Sequence, residues 1–164
     1  MDQEIRIEPF RPQDAAAIVA FVAELQDHER EFVADLKPGA DIGQSYADLL
    51  LRTAAQRGGV TLMAKAGMQT IGFVCAWVDE EHDVLVREDA RQHALISNIF
   101  VSASWRRRGV AHALLRAAED AMRERGCRRI RICSKAANHA AATCYQHAGY
   151  RPYEIVFSKR IGEP

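Results

Sequence analysis

Val101-Ser102-Ala103-Ser104-Trp105-Arg106-Arg107-Arg108-Gly109-Val110-Ala111 decides how this chain is read. An apolar, strand-like run, Leu95 to Val101, leads into it. A helix-patterned segment follows at once, with Val110, Ala113, Leu114, Ala117, Ala118, Ala121 and Met122 on one stripe. The order strand, turn, three arginines, glycine and helix start puts unpaired backbone N–H groups, a helix N-terminus and cationic side chains at one place. Such a place binds phosphate. The competing account is a solvent-exposed basic turn, and the glycine followed by a helix start weighs against it.

Outward from this stretch, the pattern divides into alternating and helical periods. Ile5 to Pro9 alternates as a strand, and Pro12 and Asp14 suit the first turn of a helix that carries Ile18, Phe21, Val22 and Leu25. Gln26 to Ala40 is polar, contains Pro38-Gly39, and reads as a connection or a broken helix. Asp41 can cap a second helix with Ile42, Tyr46, Leu49 and Leu50 on one face, ended by Gly58-Gly59. Val60 to Lys65 and Thr70 to Val78 read as two strands, and Asp79 to Gln92 as a long mobile loop. Leu95 to Val101 is apolar on both faces apart from Ser97 and Asn98, as a central strand is. Gly126 stops the helix that follows. Arg129 to Cys133 is a strand, Asn138 to His147 a short helix closed by Gly149, and Tyr150 to Lys159 a last strand. The expected order is β-α-α-β-β-β-α-β-α-β, an α/β (mixed α+β) chain folded as one domain over residues 1–164.

Composition narrows the function classes. The chain has 164 residues, with 22 Lys and Arg against 22 Asp and Glu, so no global charge draws it to nucleic acid or a membrane. The charge is nonetheless uneven: residues 104–135 hold nine Arg and one Lys against two Glu and one Asp. A basic face on a neutral protein suits a discrete anionic ligand, and it lacks the interleaved aromatics of a nucleic-acid surface. Cys75, Cys127, Cys133 and Cys144 form no Cys-x-x-Cys pair and read as reduced core thiols of a cytoplasmic protein. The start Met1-Asp2-Gln3-Glu4 is polar and acidic, unlike a signal peptide, and no apolar run is long enough to span a bilayer. His112, His139 and His147 lie at spacings that suggest no metal site.

Two motifs together point to a family. Arg106-Arg107-Arg108-Gly109-Val110-Ala111 fits a Gln/Arg-x-x-Gly-x-Gly/Ala loop. Asn138, Ala141, Tyr145 and Gly149-Tyr150 fit a second pattern, an Asn, a small residue three on, a Tyr seven on, then Gly and an aromatic. With the order of elements, they resemble the GCN5-related N-acetyltransferases, most strongly over residues 95–150. The resemblance implies a GNAT-like fold, a mixed, mostly antiparallel central sheet with helices on both faces. It implies acetyl-coenzyme A as cosubstrate, no metal, and transfer of the acetyl group to a primary amine by direct attack in a ternary complex.

Each residue then has an implied part. Arg106, Arg107, Arg108, Gly109, Val110, Ala111 and His112 form the pyrophosphate loop. Gly109 lets the backbone come close, and Ala111 keeps the first helical turn narrow. A helix-end field contributes only about 0.3–1 kcal/mol, so main-chain hydrogen bonds and arginines must add most of the affinity. Ile99, Phe100 and Val101 pair through their backbone with the pantetheine arm, which does not stop their side chains from packing in the core. Asn138 and Ala141 contact the same arm, and Asn138 also suits a helix N-cap. Tyr145 is the implied general acid for the departing thiolate, since a phenol with pKa near 10 is protonated at neutral pH.

The acceptor half reads less clearly. Many relatives place a carboxylate base on the central strand, where this chain has Ser97 and Asn98. Glu29, Glu31, Glu81, His82, His93 and bulk water remain as alternatives. The acidic stretches Glu24–Glu31 and Asp79–Asp83 suggest a cationic amine as acceptor, a small molecule or a peptide, with ordinary surface charge as the equal alternative. A coenzyme A-binding sensor or scaffold without turnover is the second function, which the missing carboxylate favours and Tyr145 opposes. Little chain is left for a final hairpin, so the sheet either ends early or is completed by a second subunit in a homodimer.

Overall fold

The computed structural model describes residues 4–162. Its elements follow in the order β1 (Ile5–Pro9), α1 (Ala15–Arg30), α2 (Gly39–Gln56), β2 (Val60–Ala66), β3 (Gln69–Glu80), a single turn α3 (Glu88–Arg91), β4 (Gln92–Val101), α4 (Val110–Glu124), β5 (Ile130–Ile132) and α5 (His139–His147). The five strands form one sheet in the order β1-β2-β3-β4-β5. The first three pairings are antiparallel and β4 pairs with β5 in parallel. The central strand expected at Leu95–Val101 is therefore present, starts three residues earlier, and lies between β3 and β5.

Each face of the sheet has its own core. On one face Val110, Leu114, Leu115, Ala118 and Met122 of α4 are buried against Ile71, Val74 and Ile96. This is the stripe expected from the helical spacing of the apolar residues. On the other face Ile18, Phe21 and Val22 of α1 and Ala47, Leu50 and Ala54 of α2 cover Met63, Phe73, Trp77 and Phe100. The two helices approach closely at Gly39, where an added Cβ would lie 2.0 Å from the carbonyl oxygen of Ala23. The Gly39 amide donates to Asp27 Oδ1 at 2.7 Å, which fixes the start of α2 against α1. Helix α2 thus begins at Gly39, and Asp41 sits inside its first turn rather than capping it.

Four other expectations are corrected. Helix α1 runs on to Arg30, so the connection is shorter than Gln26–Ala40. The supposed mobile loop Asp79–Gln92 contains the end of β3, the turn α3 and the start of β4, because Glu80 pairs with Gln92. Cys75 and Cys127 are buried, but Cys133 is exposed beyond the end of β5 and Cys144 is only half-buried, so these are not four core thiols. The last strand, Tyr150 to Lys159, does not form: residues 151–162 have no secondary structure and are exposed. A strand forms only where a partner satisfies its backbone, and no backbone hydrogen bond joins residues 151–159 to the rest of the described chain.

Candidate active site

The site begins with an irregularity in β4. Asn98 lies opposite Cys75, but Ile96 lies opposite Ala76, so Ser97 is an extra residue on β4. A bulge of this kind bends the strand and ends pairing. The ladder to β5 covers only Ala94, Leu95 and Ile96. Beyond the bulge β4 stays on β3 and leaves β5, which opens a cleft along its free edge. The Ser102 amide donates to the Ile71 carbonyl at 2.9 Å on the β3 side. Alternation from that bond turns the backbone groups of Ile99 and Val101 to the cleft and those of Phe100 to β3. Ile99 and Val101 pack their side chains toward α4. Phe100 does not join them: its ring is buried among α1 and α2, 5.0 Å from the Phe21 ring.

At one end of the cleft stands the basic loop. Arg107 has φ 60° and Gly109 φ 80°, both left-handed. The second is needed to enter α4, and only glycine adopts it freely. Open space surrounds an added Cβ at Gly109, so the glycine serves backbone conformation rather than room. The first hydrogen bond of α4 runs from the Ala113 amide to the Gly109 carbonyl at 3.0 Å. No side chain caps the helix. The amides of Val110, Ala111 and His112 are therefore left pointing out of the helix end, the arrangement that accepts an anion. The three arginines differ. Arg106 Nε donates to the Val101 carbonyl at 3.1 Å and braces the loop against β4. The Arg108 guanidinium lies 5.1 Å from the centre of the Trp105 ring. Arg107 has no partner among the described residues and is exposed.

Tyr145 stands on α5, which packs on the α4 face through Cys144, Tyr145 and Ala148. Asn138 caps this helix, its Oδ1 accepting from the Ala141 amide at 3.1 Å. Its far end closes as a Schellman turn, with Tyr150 N–H on the Tyr145 carbonyl, Gly149 N–H on the Gln146 carbonyl, and Gly149 at φ 94°. That turn sets the Tyr150 ring 6.2 Å from the Tyr145 ring, and Tyr150 Oη donates to Glu119 of α4 at 2.8 Å. The pair holds the Tyr145 ring in place. The Tyr145 hydroxyl itself has no hydrogen-bond partner in the described chain. Burial pushes its pKa well above the ordinary phenol value, with Cys144, Glu29 and Cys133 adding to the rise. The phenol is thus a proton donor at any neutral pH.

The α1–α2 side of the cleft holds groups that no motif announced. Tyr46 Oη of α2 donates to Asn98 Oδ1 at 3.1 Å, and Ser97 Oγ donates to the same oxygen at 2.8 Å. Both lone pairs of that oxygen are used, which leaves the Asn98 amide hydrogens as the free donors. Glu29 at the end of α1 pairs with Lys135, on the connection after β5, at 3.7 Å. Tyr46 read as part of an apolar helix face, and it meets Asn98 across 52 residues of sequence, so no local pattern could have shown the contact.

The candidate bases separate by position. Glu29 is the one whose charge reaches Tyr145. His93 is buried at the start of β4, its Nδ1 3.1 Å from the Arg91 carbonyl and its Nε2 4.0 Å from Asp79. Glu81 is paired with Arg131 at 2.9 Å, Glu31 lies by His28 at 3.6 Å, and His82 is exposed. Much of the acidic charge is thus already paired, Asp79 with Arg57 at 2.7 Å included.

Comparison with known proteins settles the family. The sequence profile of the Acetyltransferase (GNAT) family matches residues 19–150, which contain the bulged strand, the loop and Tyr145. The chain belongs to the GNAT acetyltransferases. This GNAT is similar in fold to an aminoglycoside N-acetyltransferase, AAC(6')-Iy, solved with CoA (TM-score 0.72, 19% identity, 99% of this chain and 97% of that one). It is similar to a GCN5-related N-acetyltransferase from Ralstonia eutropha JMP134 (TM-score 0.75, 19% identity, 97% and 100%). A ribosomal-protein-alanine N-acetyltransferase from Brucella melitensis biovar Abortus 2308 also shares the fold (TM-score 0.68, 18% identity, 97% and 100%). No curated protein sequence matches it. Among the described residues of this GNAT, no group of His, Cys, Asp and Glu gathers as a metal site, and no helix is long and apolar enough to cross a membrane.

Proposed function

We propose that this GNAT transfers an acetyl group from acetyl-coenzyme A to a primary amine in a ternary complex. One observation carries the proposal: the cleft opened at Ser97 has unpaired helix-end amides at one end and, beside it, a half-buried phenol with no hydrogen-bond partner among the described residues. The pyrophosphate takes the amides of Val110, Ala111 and His112, with Arg107, which has no partner among the described residues, as the cation beside it. The pantetheine arm takes the cleft-facing backbone of Ile99 and Val101, and Asn138 and Ala141 flank it from α5. The thioester then lies near Tyr145.

The chemistry balances without a covalent enzyme intermediate. The neutral amine nitrogen bonds to the acetyl carbon, the carbon–sulfur bond breaks, Tyr145 gives its proton to the departing thiolate, and the proton shed by the nitrogen as it becomes an amide returns through water to the phenolate. The acceptor enters on the α1–α2 side, past Tyr46 and Asn98, with Glu29 as a carboxylate whose charge reaches the phenol. Neither Ser97 nor Asn98 takes a proton at neutral pH, so the ammonium loses its proton to water before attack. The aminoglycoside and ribosomal-protein-alanine enzymes among the structural neighbours are named for amine-bearing substrates of very different size. That supports a primary amine as the class, small molecule or peptide. The four unpaired cysteines support a reducing, cytoplasmic setting.

The second reading, coenzyme A binding without turnover, is favoured by the amide at Asn98. The experiment that separates them mixes the protein with acetyl-coenzyme A and a panel of primary amines. Free thiol should appear in step with acetylated amine by mass spectrometry. Tight coenzyme A binding by calorimetry with no amine raising thiol release would overturn transfer and leave the second reading.

A further inference from the structure

One polar contact ties the two walls of the cleft together. Glu29, in the last turn of α1, pairs with Lys135, on the connection between β5 and α5, at 3.7 Å. The walls belong to different cores: α1 packs with Phe100 on one face of the sheet, and α5 packs with α4 on the other. Among the described residues no other hydrogen bond or ion pair joins α1 or α2 to residues 126–150. The Glu29 carboxylate accepts no hydrogen bond from the described chain, and Lys135 is its one cation within ion-pair distance there. At 3.7 Å the contact is one of charge, longer than a hydrogen bond. Both side chains are partly open to water, where such pairs add little to stability. The backbone of Lys135 is fixed, its carbonyl accepting from the Asn138 amide at 2.8 Å, so only the side chain needs to move for the pair to part.

Two further observations say what the place takes. Residues 104–135 hold nine arginines and one lysine, and the lysine is the residue that reaches Glu29. An ε-ammonium is a compact charge on an alkyl stem, the head group of any protonated primary amine, whereas a guanidinium is a planar fork. The charge of Glu29 also reaches the Tyr145 phenol, as does that of Cys133, two residues before Lys135. The carboxylate that holds this ammonium is thus within electrostatic reach of the proton donor. We propose that Glu29 is the docking site for the ammonium of the acceptor, and that in the free enzyme Lys135 occupies it as the chain's own stand-in for that ammonium. This rests on the transfer reading above and adds the acceptor's class, a primary amine that arrives as a cation. The acceptor displaces Lys135 from Glu29 and loses its proton to water before it attacks.

The two side chains then act with opposite sign on one probe. n-Butylamine, an ammonium ion at neutral pH with the stem of a lysine side chain, is titrated into the protein bearing coenzyme A. Amide chemical shifts report its binding whether or not an acetyl group is transferred. Lys135→Met should bind it about two- to fivefold tighter than the wild type, the gain that removing a partly exposed ion-pair competitor allows. Glu29→Gln should bind it more weakly by a similar factor or more. The double variant should match Glu29→Gln, since Lys135 then has nothing to compete for. Should Lys135→Met fail to fold, Lys135→Gln takes its place. A double variant that gains over Glu29→Gln by as large a factor as Lys135→Met gains over the wild type would reduce Lys135 to a general repulsion and overturn the proposal. Equal affinity in all four proteins, or binding by none, overturns it too. For the amine of the panel acetylated fastest, KM should move in the same directions while kcat and the coenzyme A constant hold. An unmoved KM with acetylated amine still forming would remove the docking site and leave transfer standing. The expected order of binding with no amine acetylated would keep the cation site and overturn transfer.

Discussion

On the α4 side of β4 the cleft is made of main chain: the edge of Ile99 and Val101, and the helix-end amides after Gly109. On the α1–α2 side it is made of side chains: Tyr46, Ser97 and Asn98 in one hydrogen-bonded group, with Glu29 and Lys135 beyond. Main-chain donors depend on backbone conformation and tolerate many side chains. Side-chain groups change chemistry with a single substitution. The first kind suits a constant partner such as the phosphate and amide groups of acetyl-coenzyme A, and the second a partner that differs between related enzymes.

Three substitutions would break or sharpen this contrast. The largest effect is expected from Tyr145→Phe, which removes the proton donor and keeps the ring against Tyr150. Turnover should fall about 100-fold or more, within the span of general acid catalysis, while coenzyme A binding by calorimetry stays unchanged. Equal turnover would remove Tyr145 from the chemistry. Next comes Gly109→Val, which forces a β-branched residue to φ 80°. A left-handed L-residue costs about 1–2 kcal/mol, so the coenzyme A dissociation constant should rise roughly tenfold. An unchanged constant would show that the helix entry does not hold the phosphates.

The smallest and most diagnostic change is Asn98→Asp. It keeps Oδ1 as the acceptor for Tyr46 and Ser97 and adds a basic oxygen. In the wild type, kcat/KM for an alkylamine should climb with pH toward the pKa of the amine. It should not fall again below about pH 10, because burial raises Tyr145 above the usual phenol value and keeps it protonated. In Asn98→Asp the acid limb should rise several-fold and level off earlier, while the coenzyme A constant stays the same. A wild-type plateau near neutrality would reveal a base on the acceptor side, and Glu29→Gln would then test the candidate whose charge reaches Tyr145.

How much of this was legible in the sequence follows from the range of the interactions. The loop Arg106–Ala111 is local, and so are the cap at Asn138 and the closing turn at Gly149. Each shows in adjacent residues because a helix end is satisfied within a turn of itself. The apolar stripe of α4 is equally local, and it appears as expected. Three things were not local. The bulge at Ser97 depends on how β3 and β4 pair, which no residue of β4 announces. The Tyr46–Asn98 bond joins two elements far apart in the chain. The state of residues 151–162 depends on what lies beside them, and an alternation that Val156 and Lys159 interrupt gave the expectation of a strand that does not form.

By itself, then, the sequence determined the family motifs, the order of elements up to α5 apart from the turn α3, and the basic helix-entry loop at one end of the cleft, since these rest on neighbours in the chain and on backbone conformation. Only the tertiary structure decided where β4 parts from β5, which backbone groups of Ile99 and Val101 face the cleft while Phe100 turns to the core, and that Tyr46 holds Asn98. Those depend on strand register and helix packing, in which one residue of shift moves every side chain to the other face.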